Sequence, residues 1–462
     1  MKTEHKNATI IIVKIENLKE EKMNKVNRKK FLSSLIIFSL VGQVAWVVEN
    51  MYFNVFIHKM FNANEDQIAL MVALSAVSAT LTTLIIGALS DKLGKRKIFI
   101  SAGYILWGVS ILLFALVRID IMQALAPTAS IVTLNTVCIT IVIILDCIMT
   151  FFGSGANDAC FNAWLTDSTT SQNRGSAEGI NAMMPLMAIL VVFGGFMAFD
   201  LGKASSWTAI YIIIGTIVIA IGILGLFIID EPKIENSENK SYFKNIIYGF
   251  KPSVIKKNKM LYIYLIAFAI FGISIQIFMP YLIIYYEQIL GDSYVFVMAP
   301  AIILAGVFTF FWGKVYDKIG FAKSIIPSIT LLGIGYIILT FFVHVVPVFI
   351  GSLLMMCGYL SSMAVFGAII RDNTPENKSG MFQGLRIVGQ VLVPGIIGPA
   401  LGAWILKDAP PKIGSDGTEI FTPNESIFVG ALVVLAVLAI MLSVIIIVTK
   451  KAKAQENKNE TK

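Results

Sequence analysis

The stretch Gly87-Ala88-Leu89-Ser90-Asp91-Lys92-Leu93-Gly94-Lys95-Arg96-Lys97, GALSDKLGKRK, separates two long apolar runs. It is echoed 313 minus 87, or 226, positions later by Gly313 to Lys323, GKVYDKIGFAK. Gly87, Asp91, Lys92, Gly94 and Lys97 fall at the spacings of Gly313, Asp317, Lys318, Gly320 and Lys323. A second pair follows, in which Asp167, Thr169, Gly175 and Gly179 match Asp372, Thr374, Gly380 and Gly384 at an offset of 372 minus 167, or 205. The chain therefore reads as a duplication. Repeats in an apolar chain are how many secondary transporters are built, with the solute site between the halves, so transport is the first expectation.

Composition points the same way. Of 462 residues, 56% are hydrophobic and only 14% charged, and the mean hydropathy is +0.78. Such a chain is solvated mostly by lipid. The pI of about 9.1 does not imply nucleic acid, because the basic residues lie in loops between apolar runs rather than on one polar face. Cys138, Cys147, Cys160 and Cys357 fall in apolar stretches with no CxxC pair, which argues for packing rather than a disulfide framework or a zinc site. Only Ala8 to Val13 is apolar within the charged segment Met1 to Lys30, too short for a cleavable signal, and Met23 is a second possible start.

A bilayer crossing needs roughly 20 apolar residues, and twelve such runs can be placed. The first six are Phe31 to Ile57, Gln67 to Leu89, Ile98 to Leu116, Val137 to Leu165, Gly179 to Phe199 and Ala209 to Ile229. The second six are Met260 to Tyr286, Tyr294 to Trp312, Ser324 to Phe342, Val345 to Ile370, Met381 to Ile405 and Ser426 to Val448. Ile121 to Thr136 is apolar but interrupted by Pro127, and reads as a loop or a re-entrant piece. It accounts for the unequal offsets: Asp91 and Asp167 are 76 residues apart, Asp317 and Asp372 only 55. The expected organisation is an N-terminal segment 1–30, a six-helix bundle 31–229, a linker 230–259, a second bundle 260–449 and a tail 450–462.

Lys and Arg orient the bundle, since loops rich in them stay cytoplasmic. One side collects Lys25, Arg28, Lys29 and Lys30, both repeated loops, Arg174, the lysine-rich linker, Arg371, Lys378 and the tail from Lys450. The other keeps Lys59, Arg118, Lys203, Lys407 and Lys412. Both termini are expected on the cytoplasmic side of a cell membrane. The linker and tail are polar and poor in aromatics, unlike a folded catalytic domain.

In the repeated loop the leading glycines Gly87 and Gly313 are expected to let helices approach. The Asp is expected to accept hydrogen bonds from backbone N–H groups at a neighbouring helix start, and the basic cluster to sit at the anionic leaflet. GALSDKLGKRK, with GKVYDKIGFAK as its weaker copy, resembles the signature of the major facilitator superfamily. The resemblance implies six plus six helices, a central site and alternating access. It also implies that Asp91, Arg96 and Asp317 form helix-end contacts that stabilise one facing state. Within that superfamily, Asn157 to Gly175, NDACFNAWLTDSTTSQNRG, is similar to the fourth helix and following loop of the glycoside-pentoside-hexuronide cation symporters, the melibiose permease group, through Asp158 and Phe161. Gly42, Gln43 and Trp46 more loosely resemble the first helix of proton-coupled sucrose transporters. The permease group carries cation-binding Asp residues on its second helix, whereas Gln67 to Leu89 has Ala79 and Thr83 at the corresponding turns. That favours protons over sodium as the coupling ion.

Ionisable residues inside a bilayer are costly and therefore candidate functional groups. Asp158 lies nine residues before Asp167, about 13 Å of helix and so near mid-membrane. It is expected to bind and release a proton, or else to bond a neighbouring helix through Asn157 or Asn162. Glu49 shares the first helix with Gln43, Trp46, Asn50 and Asn54, which at about 100° per residue share one face. Amides beside a Trp suit sugar hydroxyls and the apolar C–H surface of a sugar. Glu49 is expected either to help coupling or to face water at the outer mouth. Asp146, 21 residues before Asp167 and so about 31 Å away along a helix, is expected at the outer surface without a role. In the second half Arg386 and Gln390 lie one turn apart, and the permease group uses a basic residue on that helix. Arg386 either pairs with Asp158, binds an anion or snorkels. Gln276, Tyr281 and Tyr285 are candidate contacts on the seventh helix, with Tyr285 and Tyr286 equally compatible with an interfacial belt.

An enzyme would need a reactive constellation, yet the histidines are His5, His58 and His344 only, with no HExxH, metal-ligand pair or nucleophile elbow. The reading is thus an all-α, twelve-helix membrane transporter acting as a monomer. It moves a small polar solute, a sugar or glycoside, with a proton and without other cofactor or metal. The rivals are another cargo such as a lysolipid or drug, and a membrane sensor.

Overall fold

The computed structural model describes residues 28–169, 174–231, 250–374, 385–413 and 419–460. Met23, most of the linker, Lys378, Gly380 and Gly384 lie outside the described residues. Ten helices are long and apolar enough to cross a membrane. One of them, Tyr294–Phe341, is two arms that meet at Gly320, where φ 72° and ψ 179° break the helix, and Arg174–Phe196 supplies a further span. The molecule is therefore a twelve-helix bundle. In chain order helices 1 to 6 are Arg28–Phe61, Glu65–Leu93, Lys97–Phe114, Ile131–Asp167, Arg174–Phe196 and Ala204–Ile228. Helix 7 is Lys259–Leu290, helices 8 and 9 are the two arms of Tyr294–Phe341, and helices 10 to 12 are Val345–Asp372, Leu385–Leu406 and Ser426–Glu460.

Local signals set the ends. Asn64 and Gln67 form a reciprocal capping box at the start of helix 2, with both bonds at 3.0 Å. Ser130 accepts from the Thr133 N–H at 3.2 Å, so helix 4 starts at Ile131. The doubtful stretch around Pro127 resolves into a short helix, Ile119–Leu125, with no buried residue, followed by that cap. It is a surface addition to the first half. A two-residue hairpin pairs Lys412 with Ile420 and Ile413 with Glu419 between helices 11 and 12.

Packing follows the rule for helices in lipid, where small residues allow close backbone approach. A Cβ on Gly108 of helix 3 would stand 2.6 Å from the Gly215 carbonyl of helix 6, and one on Gly335 of helix 9 would stand 2.7 Å from Met355 Cα of helix 10. Large side chains such as Leu81, Phe310 and Trp404 remain exposed on the outside, as expected for a surface that faces acyl chains.

Three helices leave α geometry for a π turn: Val48–Tyr52 in helix 1, Ser154–Phe161 in helix 4 and Val388–Leu392 in helix 11. These turns contain Glu49, Asp158 and Gln390. A π turn adds a residue to the helical circuit and is common where function needs a side chain re-aimed. Helix 7 breaks instead at a 3₁₀ turn, Met279–Tyr281, which contains Pro280.

Candidate functional site

Asp158 sits in the π turn of helix 4, half-buried. Asn157 Nδ2 donates to its Oδ1 at 3.4 Å, and Ser154 and Trp46 flank the carboxyl without a standard hydrogen bond to it. Asn157 is fixed in turn. Tyr104 Oη lies 3.0 Å from Asn157 Oδ1 and 2.8 Å from the Phe38 carbonyl, and a Cβ on Gly42 would strike Asn157 Oδ1 at 2.5 Å. Gly42 is thus required by a close approach of helix 1 to the carboxyl's neighbour. Among the described residues no Lys, Arg or His forms an ion pair with Asp158.

Glu49 does not face water at the outer mouth. It is 8% exposed, and its Oε1 accepts from Ser75 Oγ at 2.7 Å and Thr150 Oγ1 at 2.9 Å. Asp146 corrects the surface expectation more sharply, being 2% exposed and within electrostatic range of Glu49. The reason is that helix 4 spans 37 residues, far more than a bilayer needs. Its outer end is at Ile131, about 22 Å beyond Asp146. A sequence signal for this site existed: Asp146, Thr150, Ser154 and Asp158 recur every fourth residue and make one polar stripe on helix 4.

On helix 1, Asn50 is exposed and Gln43 and Trp46 are half-buried, while Asn54 is 1% exposed. The amides of Asn50 and Asn54 donate to the carbonyls of Trp46, at 2.8 Å, and of Asn50, at 3.3 Å. The expected wet stripe is therefore open at Gln43 to Asn50 and closed at Asn54. Asn162 is exposed and donates to the Asp158 carbonyl at 3.1 Å. In the second half Arg386 Nε donates to Gln390 Oε1 at 3.2 Å, and Gln276 is half-buried against Gly398. Tyr281 is not an open contact, since it is fully buried and its hydroxyl donates to the Glu65 carbonyl at 3.0 Å. Tyr285 and Tyr286 belong to no interfacial belt. Both are buried, and the Tyr286 hydroxyl lies 2.6 Å from Ser352 Oγ.

The repeated loop of the first half is an ion network centred on Arg96, whose side chain is 6% exposed. Its guanidinium reaches Asp91 at 2.5 Å, Asp167 at 3.0 Å and Ser90 Oγ at 2.9 Å. Burial pulls the Arg96 pKa down, but Asp91 and Asp167 outweigh it and hold the pKa above its usual value. The helix-start role expected of Asp91 belongs to Glu231, which accepts from the backbone N–H groups of Arg96 and Lys97 at the head of helix 3. In the second copy Asp317 is exposed and forms no ion pair among the described residues. Nor is the leading glycine a packing device there, because a Cβ on Gly313 would meet nothing within 4 Å. The glycines the backbone requires are Gly94 and Gly320, at φ 61° and φ 72°.

Four polar links between the two halves gather at the end away from these loops. Lys59 pairs with Glu287, both about four-fifths buried. Tyr52 Oη lies 3.2 Å from Tyr294 Oη, Tyr281 holds Glu65, and Asn62 Nδ2 donates to the Glu419 carbonyl at 2.9 Å. Sequence reading passed over Lys59 and Glu287 because each looks like a loop charge.

A family model described as Major Facilitator Superfamily matches residues 31–307 and 296–462. No curated protein matches the sequence. Among solved structures the chain is similar to a mutant of the nucleoside transporter NupG, at 12% identity over 89% of this chain and 98% of that one, with a TM-score of 0.67. It is also similar to a bacterial homolog of the human lysosomal transporter Spinster in an inward-facing and occupied conformation. There the identity is 16% over 92% and 97% of the two chains, with a TM-score of 0.64. At these identities the likeness concerns the fold.

Proposed function

Because the chain belongs to the major facilitator superfamily, we propose that this transporter moves a small sugar-bearing solute together with a proton, by alternating access between bundles 31–229 and 260–449. The observation that carries this reading is Asp158: a half-buried carboxylate at a π turn, beside Trp46 and Asn157, with no basic partner among the described residues. Carrying a bare charge across the bilayer is expensive, so proton binding there ties movement of the empty carrier to its charge state. Gln43, Trp46 and Asn50 line the helix 1 face next to it, with Arg386 and Gln390 as second-half contacts. Amides and an indole face suit a polyhydroxyl solute. That one similar structure is a nucleoside transporter supports this class, since a nucleoside carries a sugar. Helix 2 has Ala79 and Thr83 where the resembling permeases place acids, which favours the proton over sodium.

With the basic loops assigned to the cytoplasm, the end joined by Lys59, Glu287, Tyr52 and Tyr294 is external and closed. The test is uptake into proteoliposomes with a panel of sugars and nucleosides. Asp158→Asn keeps the shape and loses the titration, so it is expected to abolish uphill accumulation while retaining exchange. Undiminished uphill uptake under a proton gradient alone would move coupling away from Asp158.

A further inference from the structure

Beyond Asp158, the first half contains a buried acidic pair with no counter-charge among the described residues. Glu49 on helix 1 and Asp146 on helix 4 are 8% and 2% exposed and lie within electrostatic range of each other. The charged and titratable groups facing them are Asp158 and Cys147 on helix 4 and Tyr211 on helix 6. Helix 2 adds the hydroxyl of Ser75, which also lies 2.9 Å from Thr150 Oγ1. None of the ion pairs among the described residues involves either acid.

The pair also carries unpartnered oxygens. Glu49 Oε1 takes both hydroxyl bonds, but Glu49 Oε2 and Asp146 Oδ1 are buried without a partner. The Tyr211 hydroxyl is an independent sign that these acids bind a ligand: the residue is fully buried, the hydroxyl has no hydrogen bond, and it stands within range of Asp146. Unpaired buried acceptors next to an idle donor are costly unless something is held between them. Two bare carboxylates within a bilayer are more costly still. The ligand set is all hard oxygen, from two carboxylates and two hydroxyls, which suits a small hard cation and not a soft metal. A divalent site would want more carboxylates, and among the described residues no group of three His, Cys, Asp or Glu is placed to hold a metal ion.

We propose that Glu49, Asp146, Ser75 and Thr150 form a binding site for one monovalent cation, either a proton or a sodium ion, separate from the Asp158 carboxyl and oriented by Tyr211. Its use in coupling rests on the transport reading above; the binding itself does not. The π turn at Val48–Tyr52 re-aims Glu49 into this site.

The experiment uses the full-length protein in nanodiscs. In the sodium arm, thermal unfolding is followed as sodium chloride replaces choline chloride at constant ionic strength and alkaline pH. A saturable rise in Tm that is lost in Asp146→Asn identifies sodium. In the proton arm, infrared difference spectra follow the protonated-carboxyl C=O stretch through a pH titration. A band lost in Asp146→Asn and Glu49→Gln but kept in Asp158→Asn identifies the proton. Tyr211→Phe and Thr150→Val should fold and shift the midpoint of whichever titration is seen, and they carry the test if the acid variants do not fold. Absence of both signals in the wild-type protein, or their persistence in Asp146→Asn, overturns the proposal. Neither readout depends on uptake, so loss of the symport reading would leave them standing.

Discussion

In the first half Arg96 gathers Asp91, Asp167 and Ser90 into one network, whereas 226 positions on the equivalent residue is Ala322. The second copy keeps a fragment of that chemistry: Tyr316, which stands where Ser90 stands, donates its hydroxyl to Asp372, the counterpart of Asp167, at 2.8 Å. What both copies preserve is a glycine at the turn. Each turns through a glycine at positive φ, Gly94 and Gly320. The duplicated motif thus contains two separable layers, a turn present in both halves and an ion cage that, among the described residues, only the first half has. A gate built on that cage would be asymmetric, held mainly by the first half.

The largest effect should come from removing the centre of the cage. Arg96→Ala leaves Asp91 and Asp167 facing each other, and because the guanidinium is buried the loss should be about 3 kcal/mol of stability or state preference. The measurement is thermal unfolding together with the rate of counterflow. A drop in Tm no larger than that of a surface lysine variant such as Lys92→Ala would break the distinction between the two loops.

The shared backbone layer predicts a second, smaller set. Gly94 lies in the left-handed helical region at ψ 27°, while Gly320 lies at ψ 179°, a region nearly closed to other residues. Gly320→Ala should therefore cost about 2 kcal/mol and Gly94→Ala about 1 kcal/mol. By contrast Gly313→Ala, in open space within a helix, should be neutral or slightly stabilising. Urea or thermal unfolding of the three proteins in one detergent decides the order, and equal losses at Gly313 and Gly320 would show that the motif's glycines act by packing after all.

Asp91→Asn comes next. Asp91 is 42% exposed and Arg96 retains Asp167, so the loss should be about 1 kcal/mol, close to that of a partly exposed ion pair. The expectation is a roughly fivefold change in the rate of interconversion, 1 kcal/mol by the usual rate arithmetic, with solute affinity unchanged. A collapse of equilibrium binding in a normally folded Asp91→Asn protein would mean that the loop shapes the site rather than the gate.

The sequence carried the architecture because its signals there are local and repeated: apolar runs of bilayer length and the doubled loop. Helix ends were legible wherever a cap stands near the run, as at Asn64. They shifted where the apolar run was read without its cap, as at Ser130, which moved the start of helix 4 from Val137 to Ile131. The site was half legible. Asp158 and Glu49 stand out as charges in apolar runs, but Asp146 was misplaced because depth was counted from one end of a helix far longer than the membrane. The links between the halves, Lys59 with Glu287 and Tyr52 with Tyr294, join residues more than 220 positions apart, and no local pattern encodes such a pairing. Likewise the π turns at Glu49, Asp158 and Gln390 follow from tertiary packing, which sequence periodicity averages away.

The smallest expected effect is the sharpest test of the asymmetry. Asp317 occupies the position of Asp91 in the repeat, and on the motif alone the two should matter alike. In the structure Asp317 is exposed and lacks the arginine that gives Asp91 its partner, with Ala322 in its place. Removing an exposed charge without a close partner should change stability by less than about 0.5 kcal/mol. Asp317→Asn is therefore expected to transport within about twofold of wild type, the factor that 0.5 kcal/mol allows, and Asp91→Asn/Asp317→Asn to behave like Asp91→Asn alone. If Asp317→Asn instead slows counterflow as much as Asp91→Asn, the second loop must form its own charge cage in the opposite facing state. Ala322→Arg would then be the variant to examine, since an arginine there should trap that state.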